Sequence, residues 1–417
     1  MKRLILIFFL FQKVAFGQVE KVDTVVLRID PETAIGGISS KIYNEVTYIP
    51  LQNSKECVVG EISKLEVVDR FFIVFDRGLD QIIIFNDDGS YHAKCEDIPG
   101  YPRNSSMADN FNNKFGDFAV NREKKEIFVK TNLDRANLYI FDYGGNFKRK
   151  VSMEPNNNNL KRFFGFTFLD STSCVYNVPA YSPQKGSTTV ENYMLYFSNN
   201  LKFDYKKELP YDFTTIAKGP DVQLTLDGPF YYFGVNNRRF YTRSYDYNLY
   251  LLEKDGIKKV FKILLPLQYS IPNDFLTNEE KYKSKRTEYL TTNSQNVYLI
   301  TGVYSFGDYL SFKLNSNKYG ERNTFIYNLK TGTLLNLLRV KTDDATFFLP
   351  TVSFDKSILA SDGNYFYSTL SSLELFKAHE ATKIKLPRYS AQLKHYFSKQ
   401  SAKSNPVIVK IKLQPSL

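Results

Sequence analysis

Tryptophan is absent from the 417-residue chain, and cysteine and histidine occur only three times each. Three cysteines, Cys57, Cys95 and Cys174, cannot build a disulfide framework, and no two stand at zinc-ligand spacing. In an oxidising compartment Cys57 and Cys95 could pair, because they flank the first sequence repeat; the other reading is three small buried apolar residues. His92, His379 and His395 have no nucleophile at a motif spacing, so a Ser-His-Asp arrangement has no support. HExxH, paired CxxC and P-loop patterns are missing too. No metal and no cofactor is therefore expected, and no catalytic residue is assigned. Asp-rich stretches such as 86–89 and 76–80 lack the terminal glutamate of a calcium loop and read as turns.

Long apolar runs are also missing. Leu4 to Phe11 is the most apolar stretch, and it falls short of the roughly 20 residues that span a bilayer. Lys2-Arg3 precede it and Ala15-Phe16-Gly17 follow, which is the pattern of a signal peptide over residues 1–17. Position 18 is Gln, where a lipoprotein would carry Cys. The expected product is exported, periplasmic or extracellular, and not lipid-anchored.

What the chain does have is aromatic residues, Phe 35 and Tyr 30, which favour a half-buried pleated surface and an all-β fold. The formal net charge is +11, with basic residues concentrated between Lys377 and Lys412. Such an excess suits nucleic acid, acidic glycan or an anionic surface, or it is a solvated lysine-rich face. No nucleic-acid partner is expected; the functional alternative kept is envelope-surface association through the basic 371–412 region.

Repetition organises the rest. Turn residues at Asp88-Gly89, Gly144-Gly145-Asn146, Asn199-Asn200, Asp255-Gly256 and Thr331-Gly332 follow one another at steps of 56, 55, 56 and 76 residues. An alternating run precedes each turn (QIIIFND, NLYIFDY, YMLYFSN, NLYLLEK, NTFIYNL) and another follows it, which is the hairpin signature. Two further strands precede each hairpin, giving four antiparallel strands per repeat, a propeller blade. The long last step contains residues 273–290, a helical insertion with a possible capping box at Thr277 and Glu280. In the sixth unit, 351–355 and NYFYSTL read as the first two strands. Residues 371–404 then depart into basic helical sequence broken by Pro387, and NPVIVKIKL returns. One strand is missing there, and VTYIPLQ from residue 46 is spare. The expected fold is a six-bladed β-propeller over 46–417, closed by an N-terminal strand in the last blade, after a lead-in segment at 18–45.

The VTYIPLQ run, the VVGEISKLEVVDRFFIVFDRGLDQIIIFNDDGSY stretch and the C-terminal SNPVIVKIKL resemble the six-bladed β-propeller proteins of the Bacteroidota cell envelope. The resemblance covers nearly the whole mature chain. It implies export and the propeller fold, and it implies no particular activity. The chain departs from the family at the lipidation cysteine and at the Gly-rich stretch after the first blade. There CEDIPGYPRNSSMADNFNNKFGDF keeps the register only at Phe115-Gly116-Asp117-Phe118.

Function follows only in outline. A ligand- or protein-binding module is the first reading, with a protein or glycan as its partner, and the face bearing the blade 1–2 loop and the basic insertion as its working surface. The alternative is a lyase or hydrolase acting on a polysaccharide at the channel mouth, a fold-level analogy. Asp69, Asp117, Asp170 and Asp308 lie near inner-strand ends without forming a recognisable site, and Tyr101, Tyr181 and Tyr211 sit in loops that could face a ligand. N-terminal sequencing of the exported protein should begin at Gln18; a first residue of Met1 would remove the signal-peptide reading.

Overall fold

The computed structural model describes residues 22–95, 98, 115–132, 134, 137–152, 165–178, 193–201, 205–210, 229–234, 237–318, 324–415 and 417. Six sheets account for all of the described strands. Blade one comprises Lys64–Val68, Phe71–Asp76, Gln81–Asn86 and Tyr91–Lys94. Blade two comprises Phe115–Asn121, Glu126–Thr131, Asn137–Asp142 and Phe147–Ser152. Blade three is built from Gly165–Phe168, Ser173–Asn177, Tyr193–Asn199 and Tyr205–Pro210. Blade four follows with Phe230–Tyr232, Arg239–Tyr241, Asn248–Glu253 and Gly256–Leu264. Blade five has Leu299–Phe306, Tyr309–Asn315, Phe325–Asn328 and Leu334–Lys341. Blade six has Ala360–Ser361, Phe366–Leu370, Val407–Leu413 and, from the other end of the chain, Tyr43–Pro50.

The core is divided among the blade interfaces. Ile73, Phe75, Ile82 and Ile84 face blade two, where they meet Phe118, Val120, Ile127 and Val129. Their strand neighbours Phe72, Val74, Ile83 and Phe85 face the other way, onto Tyr367 and Ile408 of blade six. Period-two alternation therefore sends successive residues into different interfaces. This is why the run from Ile82 to Phe85 is apolar throughout: both faces of the strand are buried. Blades are further indexed by their third-to-fourth-strand turns. Gly89 has φ +88 and Gly145 has φ +75, and a Cβ on either would come within 2.3 Å of a carbonyl on the preceding blade, Pro50 or Lys94. Only glycine fits there.

The lead-in segment is a belt. Asp23–Arg28 runs parallel to the outer strand of blade four, and Ile35–Ile38 runs parallel to that of blade five. The chain then enters blade six, where Tyr43–Pro50 pairs antiparallel with Val407–Leu413, Tyr48 opposite Val409 and Ile49 opposite Ile408. This pairing closes the ring as the spare VTYIPLQ strand suggested, and it joins the two ends of the chain. The Tyr48 hydroxyl is buried among the carbonyls of Thr346, Leu349 and Pro350, 3.3, 3.0 and 3.1 Å away. Asn405, 1% exposed, uses its whole side chain: Nδ2 donates to the carbonyls of Gln52 and Cys57, and Oδ1 accepts from the Val59 amide. Cys57 is sealed beneath it, and all three cysteines are buried free thiols, so Cys57 and Cys95 are not bridged.

Besides the single turn Ser39–Ile42 that leads from the belt into blade six, helices interrupt the strands at two places. Glu279–Tyr282 and Arg286–Thr292 lie between blades four and five, and Ser372–Thr382 and Ala391–Lys399 lie within blade six. The first pair is capped by Asn278, whose side chain accepts from the Lys281 amide, and Thr277 does not cap it. Blade six departs from the expected strand order. Residues 351–355 form no strand, and the two-residue Ala360–Ser361 takes the inner position. Thr351 is committed elsewhere: its Oγ1 meets the Tyr43 hydroxyl at 2.8 Å and its carbonyl accepts from Ser368 Oγ. Ser353 Oγ donates to Glu374 and so docks the helical insertion.

Among the described residues no helix is long and apolar enough to cross a membrane. Deleting residues 46–51 removes the buried Tyr48, Ile49 and Leu51 along with one side of the closing ladder. It should lower the melting temperature by more than about 10 °C. Deleting residues 22–38, the parallel belt alone, should cost less than half as much in the same thermal scan. Equal losses would place closure in the belt.

Candidate functional site: the central channel

The innermost strands present alternate residues to the axis of the ring. In Lys64–Val68 the apolar Leu65 and Val67 pack into the blades, while Lys64 and Glu66 line an axial cavity of about 230 Å³. Tyr231 and Tyr232 of blade four, Thr301 and Tyr304 of blade five, Asp117 of blade two and the 357–361 segment of blade six complete much of its wall. Five blades thus contribute to one site.

Ion pairs fix this wall. Lys64 Nζ lies 2.8 Å from Asp117 Oδ1 and donates to the Phe118 carbonyl at 2.6 Å. Arg122, from the turn after the inner strand of blade two, reaches back to blade one. Its Nη2 is 2.9 Å from Glu66 Oε2, and its Nη1 donates to the Val67 carbonyl at 2.7 Å. The same guanidinium sits 4.0 Å from the centre of the Tyr232 ring, and the Arg239 guanidinium sits 4.6 Å from it. Arg239 Nε donates to Thr167 Oγ1 of blade three at 2.8 Å. The chain Glu66–Arg122–Tyr232–Arg239–Thr167 therefore ties blades one to four together across the axis by charge-assisted and cation–π contacts. Opposite it, the Tyr231 and Tyr304 rings meet edge to face at 5.5 Å, and the Tyr304 hydroxyl donates to the Leu359 carbonyl.

The electrostatics follow from burial and neighbours. Burial alone would raise the Glu66 pKa, but Arg122, then Arg239 and Lys64, outweigh it, and the carboxyl is held below its ordinary range. Arg239 is 2% exposed and, among the described residues, has no carboxylate in contact; burial pulls its pKa down to about 10, against the opposing pull of Glu66. Burial raises Tyr231 to about 12 and Tyr304 further. Among the described residues, Asp117 Oδ2 is buried without a hydrogen-bond partner, as is Arg122 Nε. A buried acceptor left open in a cavity wall is a place for a donor from outside the protein.

Of the four aspartates near inner-strand ends, only Asp117 lies in this cavity. Asp69 is exposed in a turn at φ +52, and Asp308 is exposed in the corresponding turn of blade five. Asp170 folds onto its own turn, accepting from the amides of Thr172 and Ser173 at 2.7 and 2.5 Å. The histidines do not converge: His92 packs on Phe71 at 4.7 Å, His379 stacks on Phe397 at 4.0 Å, and His395 is exposed on the last helix. Asp76 closes a turn by accepting from the amides of Gly60, Glu61 and Leu79. Among the described residues no three His, Cys, Asp or Glu side chains come together as metal ligands. Tyr101, Tyr181, Tyr211 and most of the blade 1–2 loop lie outside the described residues.

Lys64, Glu66, Arg122, Tyr232 and Arg239 were not singled out by their sequence. The available signal was modest: two charges at alternate positions of the otherwise apolar KLEVV strand.

The architecture defines a closed six-bladed β-propeller with a polar, ion-paired axial cavity. The chain belongs to the family described as Domain of unknown function (DUF4934), which matches residues 28–412. Among solved structures, it is similar to a Bacteroides fragilis protein proposed to be exported. The two share 14% identity with a TM-score of 0.66, over 94% of this chain and 100% of that one. It also matches a member of the DUF4221 family from Bacteroides vulgatus at 10% identity and a TM-score of 0.49, over 89% of this chain and 99% of the other. The first likeness supports the fold, and with the family match it bears out the resemblance to Bacteroidota propeller proteins. No curated protein matches the chain.

The lowered Glu66 pKa sets a pH dependence. Its contribution to stability is present above the ordinary carboxyl range and is lost as pH falls through the lowered folded-state value. Glu66→Gln should cost about 2 kcal/mol at neutral pH by leaving Arg122 without its carboxylate. In denaturant titrations the gap between parent and variant should narrow as pH falls below about 4. A gap constant down to pH 2 would show that the pair does not stabilise the channel.

Proposed function

We propose that this chain is an exported propeller serving as a binding module of the bacterial envelope, with the axial cavity as its ligand site and the basic 371–412 region towards the envelope surface. The observation that carries this reading is a wall assembled from five blades and fixed by its own ion pairs, while one buried carboxylate oxygen, Asp117 Oδ2, is left open. Preorganised polar groups of this kind bind without paying to be ordered. A tyrosine ring held by two guanidinium groups, the Thr301 hydroxyl and an open carboxylate acceptor suit a hydroxyl-rich ligand such as a glycan unit.

A second reading has one observation in its favour: two carboxylates, Glu66 and Asp117, line the same cavity, as a polysaccharide-cleaving enzyme requires. Against it, Arg122 keeps Glu66 ionised, whereas a general acid needs its pKa raised. Glycan-array and envelope pull-down screens should yield a ligand whose affinity falls about tenfold or more in Tyr232→Ala and in Asp117→Asn, measured at a temperature where each variant is still folded. Turnover of an envelope polysaccharide that Glu66→Gln abolishes would replace binding by catalysis.

A further inference from the structure

The insertion within blade six carries a feature that the cavity does not use. Between Ser372–Thr382 and Ala391–Lys399 the chain makes a tight knuckle. Lys383–Lys385 form one 3-10 turn, and Leu386 closes it in the left-handed region at φ 49, an uncommon conformation for a branched apolar residue. Ile384 is 90% exposed and Leu386 is 83% exposed, while Leu375, Leu393 and Tyr396 of the flanking helices are buried in the blade core.

The knuckle is braced from behind. His379 stacks on Phe397 and shares a 2.9 Å hydrogen bond between its Nδ1 and the Tyr389 hydroxyl, and Tyr389 packs on Phe347. The base of the knuckle is therefore fixed, and Lys385 Nζ rests 4.6 Å from the centre of the Phe348 ring, while Ile384 and Leu386 stand exposed at the tip. The surroundings are cationic. Residues 371–404 contain Lys377, Lys383, Lys385, Arg388, Lys394, Lys399 and Lys403 against only Glu374 and Glu380. Glu374 is occupied by the helix capping box and by Ser353, and Glu380 lies 2.7 Å from Lys383.

We propose that residues 383–388 form a membrane-docking tip that inserts Ile384 and Leu386 into the interface of an anionic bilayer and sets Lys383, Lys385 and Arg388 against its headgroups. Charge complementarity selects an anionic partner. The two apolar side chains at the apex select a bilayer over an acidic glycan, which offers nothing to bury them, since interfacial anchors combine these two elements. Two residues and three charges make a reversible anchor. The inference rests on the envelope association proposed above and is independent of the cavity.

The chain from Gln18 contains every described residue and should co-sediment with phosphatidylglycerol-containing vesicles and not with pure phosphatidylcholine vesicles. Binding should weaken as salt is raised to about 0.5 M. I384S/L386S should lower the bound fraction about tenfold, and K383E/K385E/R388E should abolish the preference for anionic lipid. Because the chain has no tryptophan, Ile384→Trp gives a single reporter whose emission should shift to the blue on adding anionic vesicles. Tyr232→Ala should leave vesicle binding unchanged, which separates failure of the tip from failure of the cavity reading. Equal sedimentation of I384S/L386S and parent, an unshifted tryptophan emission, or binding to acidic polysaccharide in place of vesicles would each overturn the proposal.

Discussion

The pairing of Tyr43–Pro50 with Val407–Leu413 is the constraint on which the other features depend. A propeller has no single core. Its apolar surface is distributed over the blade interfaces, and each exists only while its neighbours hold the angular spacing. An open ring would expose the faces of blades six and one and leave sheet edges unpaired. The closing ladder prevents this with strands from the two ends of the chain. Asn405 and Tyr48 fasten the ladder to the 52–59 loop and to the approach to blade six.

Closure also sets the channel. Lys64 and Glu66 reach partners on blade two, Arg122 reaches the Tyr232 ring on blade four, and Arg239 reaches Thr167 on blade three. These contacts are short because the ring has six blades and is complete. Burying charge near the axis is costly unless it is paired. Lys64 and Arg122 meet that condition, each with a carboxylate partner and a backbone carbonyl. Arg239 is the exception. Among the described residues it has hydroxyl and carbonyl acceptors and an aromatic face but no carboxylate, so its desolvation is only partly offset.

Much of the ring could be read from residue order, because glycine and asparagine turns at a steady spacing report a backbone requirement. The spare strand at residue 46 was legible because counting strands left blade six one short. The parallel belt was not: DTVVLR reads as a strand, but nothing local says that it pairs with a segment some 230 residues away. Residues 351–355 were misread because an alternating apolar run carries no sign that its polar groups are claimed by Tyr43, Ser368 and Glu374. The cavity was nearly invisible. Its members are scattered through the chain and meet only through the radial geometry, so aspartates at strand ends were as good candidates as Lys64 or Glu66.

Hydrogen exchange at the closing ladder tests this dependence most directly. The amides of Ile408 and Lys410, and those of their ladder partners Ile49 and Thr47, should exchange only through global unfolding, with the same protection as the blade-one strand Gln81–Asn86. The belt strand Asp23–Arg28 should open far more readily. If the closing amides instead exchanged as fast as the belt while blade one stayed protected, the ring would open without unfolding, and closure could not be what holds the blades and the channel in place.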